Sequence, residues 1–145
     1  MKIPRMTVIT LGVSDLARST AFYREIFSTP PITEHEGVAF FPLPGVWLSL
    51  YPLDKLAEDI GQDVRLPASG SFRGFTLAYN ARSKEEITGI FALAEKTGAH
   101  IAKLPQNTFW GGYGGYFADP DGHYWEVAWG PMFDFTAHGD LRFKS

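Results

Sequence analysis

The chain has 145 residues, a formal net charge of -3 and no cysteine, with 45% hydrophobic and 20% charged residues. That length suits one domain able to bury roughly 68–70% of its unfolded surface, and the mild acidity gives no electrostatic reason to expect nucleic acid or an anionic membrane as partner. Without cysteine there are no disulfides, thiolate zinc sites or cysteine nucleophiles. The opening MKIPRMTVITLGV lacks a signal-peptide cleavage site, and no stretch approaches the ~20 apolar residues of a membrane span, so a cytoplasmic protein with a small-molecule partner is expected.

MTVITLGV has the β-branched enrichment of a strand. SDLARSTAFYREIF follows with Ser14 or Asp15 placed to cap a helix whose Leu16, Thr20, Tyr23 and Phe27, with Phe22 and Ile26, recur at helical spacing. TPPI stops that helix, because proline cannot continue it. GVAFFPL and GVWLSLY then read as two short strands joined at Pro44 and Gly45. Residues 53–71 are more polar, with a helix-like start and a Pro/Gly/Ser-rich end, and read as a connection. The order then restarts. GFTLAYN is strand-like, and SKEEITGIFALAEKTG is a helix with Ser83 and Glu86 in capping-box spacing and Gly98 at the C-terminal stop. AHIAKLP, GGYGGYFAD and GHYWEVAW supply three more strands. The tail PMFDFTAHGDLRFKS has apolar residues enough to dock on the body or on a partner subunit.

Both halves read strand, helix, strands, which is an internal duplication. PGVWLSLYP superposes on DGHYWEVAWGP with Ser49 opposite Glu126, and VITLGV on GFTLAY with Val8 opposite Gly74 and Thr10 opposite Thr76. Strand alternation then sorts the faces. Ile9, Leu11, Val13, Val46, Leu48, Leu50, Trp125, Val127 and Trp129 should face the helices. Val8, Thr10, Gly12, Trp47, Ser49, Tyr51, Tyr124, Glu126 and Ala128 occupy the other side, which is small, polar or aromatic as a ligand-lining surface is. Glu126 is the single carboxylate among them. The scattered His35, His100, His123 and His138 are read as surface residues.

With LGVSDLARSTAFYREIF near the start and YFADPDGHYWEVAW near the end, the sequence resembles the vicinal oxygen chelate superfamily, the glyoxalase and bleomycin-resistance group. The resemblance implies an α+β fold of two pseudo-repeated βαβββ modules whose sheets curl around a shared cavity, and a homodimer. A single domain is expected, with module one at about 5–52, the connection at 53–71, module two at 72–131 and the tail at 132–145. Enzymes of this superfamily hold a divalent metal through first-strand and last-strand positions of both modules. Carried over, those positions fall on Val8, Ser49, Gly74 and Glu126, of which only Glu126 is a competent ligand. No metal or other cofactor is therefore expected.

Three functions follow as expectations. The first is a metal-free binding protein that holds a small aromatic or carbonyl-containing molecule between Trp47, Tyr51, Tyr124 and the loop aromatics Phe109 and Trp110, with Glu126 as a polar anchor. The second is a lyase- or isomerase-type enzyme with Glu126 as catalytic acid or base, or as ligand of a weak metal site, and with Thr10, Ser49 and Thr76 as hydrogen-bond donors. The third is a dimeric interaction module whose pocket is filled by its own side chains.

Overall fold

A computed structural model describes residues 1–145. The chain is mixed α+β and divides into two compact units, residues 1–71 and 72–145. In the first unit β1 (Val8–Val13) leads into α1 (Leu16–Ile26), and β2 (Ala39–Phe41) and β3 (Trp47–Pro52) complete a sheet of order β1-β3-β2. Asp15, not Ser14, is the helix cap: its carboxylate accepts from the Arg18 amide at 3.0 Å. Leu11, Val13, Leu48, Leu50 and Phe41 are all at most 3% exposed, as are Tyr23 and Ser19 of α1. Tyr23 stacks on Phe27 at 5.4 Å and meets Phe41 edge-on at 6.2 Å. This is the face that alternation assigned to the helix.

The segment expected as a connection begins with α2 (Leu53–Ile60). Gly12 permits its approach. A Cβ at Gly12 would lie 2.5 Å from Leu53 Cδ1, so a larger residue there would push α2 off β1.

The second unit runs β4 (Thr76–Asn80), α3 (Lys84–Thr97), β5 (His100–Asn107), β6 (Tyr113–Ala118) and β7 (Tyr124–Trp129), with sheet order β4-β7-β6-β5. β4 is parallel to β7; the other pairs are antiparallel. Ser83 caps α3 by accepting from the Glu86 amide at 3.2 Å, while the Glu86 carboxylate accepts from the Arg82 amide at 3.0 Å and from the Tyr79 hydroxyl. Gly98 ends the helix at φ 98, a left-handed conformation that glycine enters without a Cβ penalty. Ile87, Phe91 and Ala94 of α3 bury against Leu77, Phe117, Trp125 and Val127. Phe117 sits at the centre of this core, stacked on Trp125 at 6.3 Å and met edge-on by Phe91 at 5.8 Å.

The tail docks on its own unit. It forms a hairpin of β8 (Phe133–Phe135) and β9 (Leu141–Phe143), with Phe133 stacked on Phe143 at 5.8 Å and the Arg82 guanidinium 4.3 Å above the Phe135 ring.

His123 is not a surface residue as its sequence context suggested: it is 4% exposed, and Asp119 beside it is equally buried. The Asp119 carboxylate accepts from the amides of Asp121 and His123, both at 2.9 Å, and pairs with His123 Nδ1 at 2.9 Å. Arg73 Nη1 lies 3.0 Å from His123 Nε2. A guanidinium can only donate, so Nε2 accepts and the ring proton sits on Nδ1 toward Asp119. The aspartate-proline-aspartate-glycine turn is thus closed from inside by a histidine, with Gly122 at φ 84 making the reversal.

Three measurements check this packing. Phe117→Ala should lower the urea-unfolding free energy by about 3–5 kcal/mol, the usual cost of removing a buried phenylalanine ring. His123→Ala should cost about 1–3 kcal/mol, since it strands a buried carboxylate, and His123→Asn should recover part of that loss. Burial, and then the hydrogen bond and charge of Glu86, push the Tyr79 phenol up to about 12 from the ordinary value near 10. Its contribution to stability is present below pH of about 10 and is lost as pH rises toward the folded value. Alkaline absorbance titration of Glu86→Gln should therefore show Tyr79 ionising at lower pH than in the parent.

Candidate functional site

The site in the second unit can be built row by row from the strand register. On the face turned away from α3, Ala78, Glu126, Tyr116 and Lys103 lie in one row across β4, β7, β6 and β5. Asn80, Ala128, Gly114 and Gln106 form the next row, and Thr76, Tyr124, Ala118 and His100 the one on the other side. Opposed residues in neighbouring strands share a face, and the Tyr116 hydroxyl confirms this by donating to Glu126 Oε2 at 3.0 Å. Burial, then the hydrogen bond and charge of Glu126, hold the Tyr116 phenol above its ordinary value, so it keeps its proton and remains a donor.

Beyond the Ala128–Gly114 row the same face is occupied by the Trp110 indole. A Cβ at Gly112 would lie 2.2 Å from the Trp110 ring, and one at Gly130 would lie 2.7 Å from it, so both positions must be glycine for the indole to rest there. Phe133 meets the indole edge-on at 6.1 Å, and a Cβ at Gly130 would also lie 2.6 Å from Met132 Sδ. The result is a trough with a floor of Ala128 and Gly114, an aromatic wall at Trp110 and a polar wall at Glu126 and Tyr116. One row of side chains, about 7 Å along the strands, separates the walls.

The first unit presents its own open face. Thr10 and Ser49 are direct register partners, and their hydroxyls are hydrogen-bonded to each other. Ser49 is 2% exposed, whereas Trp47 is 40% exposed and meets Phe40 edge-on at 6.0 Å. Tyr51 lies two residues further along the same strand face, half-buried. A separate depression of about 350 Å³ in this unit, lined by Asp54, Glu58, Val64 and Leu66 among others, contains none of the residues singled out from sequence.

Among the predicted residues, the second unit therefore gathers Glu126 and Trp110 around one floor, with Tyr124 and Thr76 a row further from the indole. Tyr124 is held by the Phe72 ring at 6.1 Å. Phe109 is fully exposed beside the turn that carries Trp110 and touches none of the others. Tyr116 was missed. GGYGGYFAD shows an aromatic among glycines, but only the pairing of β6 with β7 puts this tyrosine, rather than Tyr113, opposite the carboxylate. Lys103 was missed for the same reason. Glu126 is accordingly the single carboxylate of its row but not an isolated ionisable group.

The register also revises one equivalence between the modules. Thr10 pairs with Ser49, and Ala78 pairs with Glu126, so holding Ser49 equivalent to Glu126 makes Ala78, not Thr76, the counterpart of Thr10. The position equivalent to Val8 then becomes Thr76 rather than Gly74, which precedes β4 at φ 83. A shift of two residues preserves the face. Neither alternative is a metal ligand. The donor set does not fit a divalent ion: Val8 and Gly74 offer no donor atom, the Ser49 hydroxyl is already paired with Thr10, and no group of three or more His, Asp or Glu side chains is placed to share an ion.

The profile of the glyoxalase/bleomycin resistance protein/dioxygenase superfamily matches residues 5–127. The chain is 28% identical over 134 residues to a metallothiol transferase FosB of Shouchella clausii, covering 90% of this chain and 83% of that one. It is 25% identical over 133 residues to the FosB of Bacillus licheniformis, covering 92% and 80%. Among solved structures, a glyoxalase-related enzyme from Fulvimarina pelagi superposes with a TM-score of 0.85 at 31% identity, over 99% of this chain and 100% of that chain. The duplicated order of elements, the turn closed by Asp119 and His123, and these matches across nearly the whole length lead to one conclusion: the chain belongs to the glyoxalase/bleomycin resistance protein/dioxygenase superfamily.

Proposed function

We propose that this chain is a small-molecule-binding member of the superfamily that works without a resident metal, and that its ligand is a planar, aromatic molecule laid on the Ala128–Gly114 floor. The observation that carries the reading is the placement of the Trp110 indole, seated over Gly112 and Gly130, across that floor from the Tyr116–Glu126 pair. An aromatic ring entering there stacks or packs edge-on against the indole, and its polar edge reaches a charged acceptor. The glycines support this reading, because any side chain at Gly114 would come within 2.8 Å of Ala128 and fill the floor.

The name of the FosB relatives points to a metal in those proteins. In this chain the metal-free reading rests on the donor set at Val8, Ser49, Glu126 and either Gly74 or Thr76, in which one carboxylate cannot offset the dehydration of a divalent ion. A second reading is favoured by the hydrogen bond between Tyr116 and Glu126: a phenol and a carboxylate in contact can hand a proton to and from a ligand with an acidic C–H, as a lyase or isomerase requires. Binding and acid–base chemistry share the same first step.

A panel of cationic, neutral and anionic small aromatics, followed by NMR, is expected to move the indole N–H resonance of Trp110. Glu126→Gln should weaken the compound bound best by about tenfold or more, in line with loss of a hydrogen bond to a charged group, while unfolding free energy changes by no more than about 0.5 kcal/mol. A panel that leaves Trp110 unmoved would falsify the binding reading. Elemental analysis of protein purified without chelator should find divalent metal well below one equivalent; stoichiometric metal would overturn the metal-free part.

A further inference from the structure

We infer that the trough selects ligands whose polar edge is a cationic nitrogen or a set of N–H donors, in preference to carboxylates and carbonyls, and that Tyr116 sets which donor geometry is accepted. The inference rests on the reading of the trough as a ligand site and adds its charge preference. The groups facing the floor are acceptors. Glu126 is an anion, and Tyr116 spends its only proton on Glu126 Oε2, leaving the phenol oxygen to accept. Gln106 donates through Nε2 to the Leu104 carbonyl at 3.2 Å, so its own carbonyl oxygen is the end left for a ligand. Across the floor the electron-rich face of an indole favours positive charge. The one cation in these rows is Lys103, which lies beyond Tyr116 on the outer strand and is exposed to solvent.

The hydrogen bond at Glu126 Oε2 also makes the carboxylate one-sided. Tyr116 occupies one oxygen and Oε1 is open, an arrangement that suits a single N–H donor such as an ammonium group. A planar amidinium, which pairs best with both oxygens of a carboxylate at once, has to compete with the phenol for the second oxygen. Tyr116 is therefore a specificity-determining residue that narrows the difference between ammonium and amidinium ligands.

The test uses benzamidine, benzamide and benzoate, which share one ring and differ in the charge of its substituent, with benzylamine as the ammonium probe, all titrated into the full chain by calorimetry and NMR. Benzamidine is expected to bind at least tenfold more tightly than benzamide, with benzoate weakest, and Glu126→Gln should bring benzamidine and benzamide within about twofold of each other. In Tyr116→Phe the benzamidine-to-benzylamine affinity ratio should rise about threefold or more. Benzoate or benzamide binding as tightly as benzamidine, with Trp110 still perturbed, overturns the charge preference and leaves the trough standing as a ligand site. An unchanged ratio in Tyr116→Phe overturns the role of the phenol. A Trp110 resonance that none of the four compounds moves overturns both the preference and the site.

Discussion

The pairing of β6 with β7 governs the second unit from both sides. Phe117 opposite Trp125 places two large rings together beneath the sheet, where Phe91 of α3 closes over them. One residue along, Tyr116 opposite Glu126 places a phenol and a carboxylate together above it. These are not separate achievements. A slip of one residue would turn Phe117 and Trp125 out of the core and carry Glu126 into it, so the apolar stack that stabilises the unit also holds the polar pair in register. The core therefore enforces the site, and a ligand face can tolerate few contacts of its own because the opposite face supplies the stability.

Small residues are the second half of this design. Gly112, Gly114 and Gly130, with Ala128, leave the sheet surface bare at the point where Trp110 folds over it. Glycine in a strand weakens it, and its presence here marks close approach of another group. The first unit uses the same device once, at Gly12, where α2 settles against β1. In both units a missing side chain is what lets a later segment of the chain lie on the open face.

Within a superfamily whose enzymes use metal, the donor atoms on this chain have been redistributed rather than simply lost. The hydroxyls of Thr10 and Ser49 satisfy each other, and Glu126 is satisfied from one side by Tyr116. Every buried side-chain nitrogen and oxygen has a hydrogen-bond partner, so no orphaned ligand set is waiting for an ion. What is left open is an acceptor beside an aromatic wall, a combination suited to recognition by charge and shape.

The elements themselves were legible in the sequence because they rest on local physics. Asp15 and Ser83 cap helices through their neighbours' amides, Gly98 stops one by entering left-handed space, and alternation put Leu11, Leu48, Val127 and Trp125 on the helix side without any need for the third dimension. Glu126 on the open face was legible for the same reason. What lies opposite it was not. Tyr113 and Tyr116 look alike in GGYGGYFAD until β6 pairs with β7, and the two-residue difference between the parallel ladders is invisible because it preserves the face. The fate of His123 likewise depended on Arg73, fifty positions earlier, arriving at its outer nitrogen. Sequence by itself determined which residues could occupy each face, since backbone geometry repeats every two or every 3.6 residues. Only the tertiary structure decided which of them meet, since strand register and the seating of Trp110 over its glycines are set by packing between segments far apart in the chain.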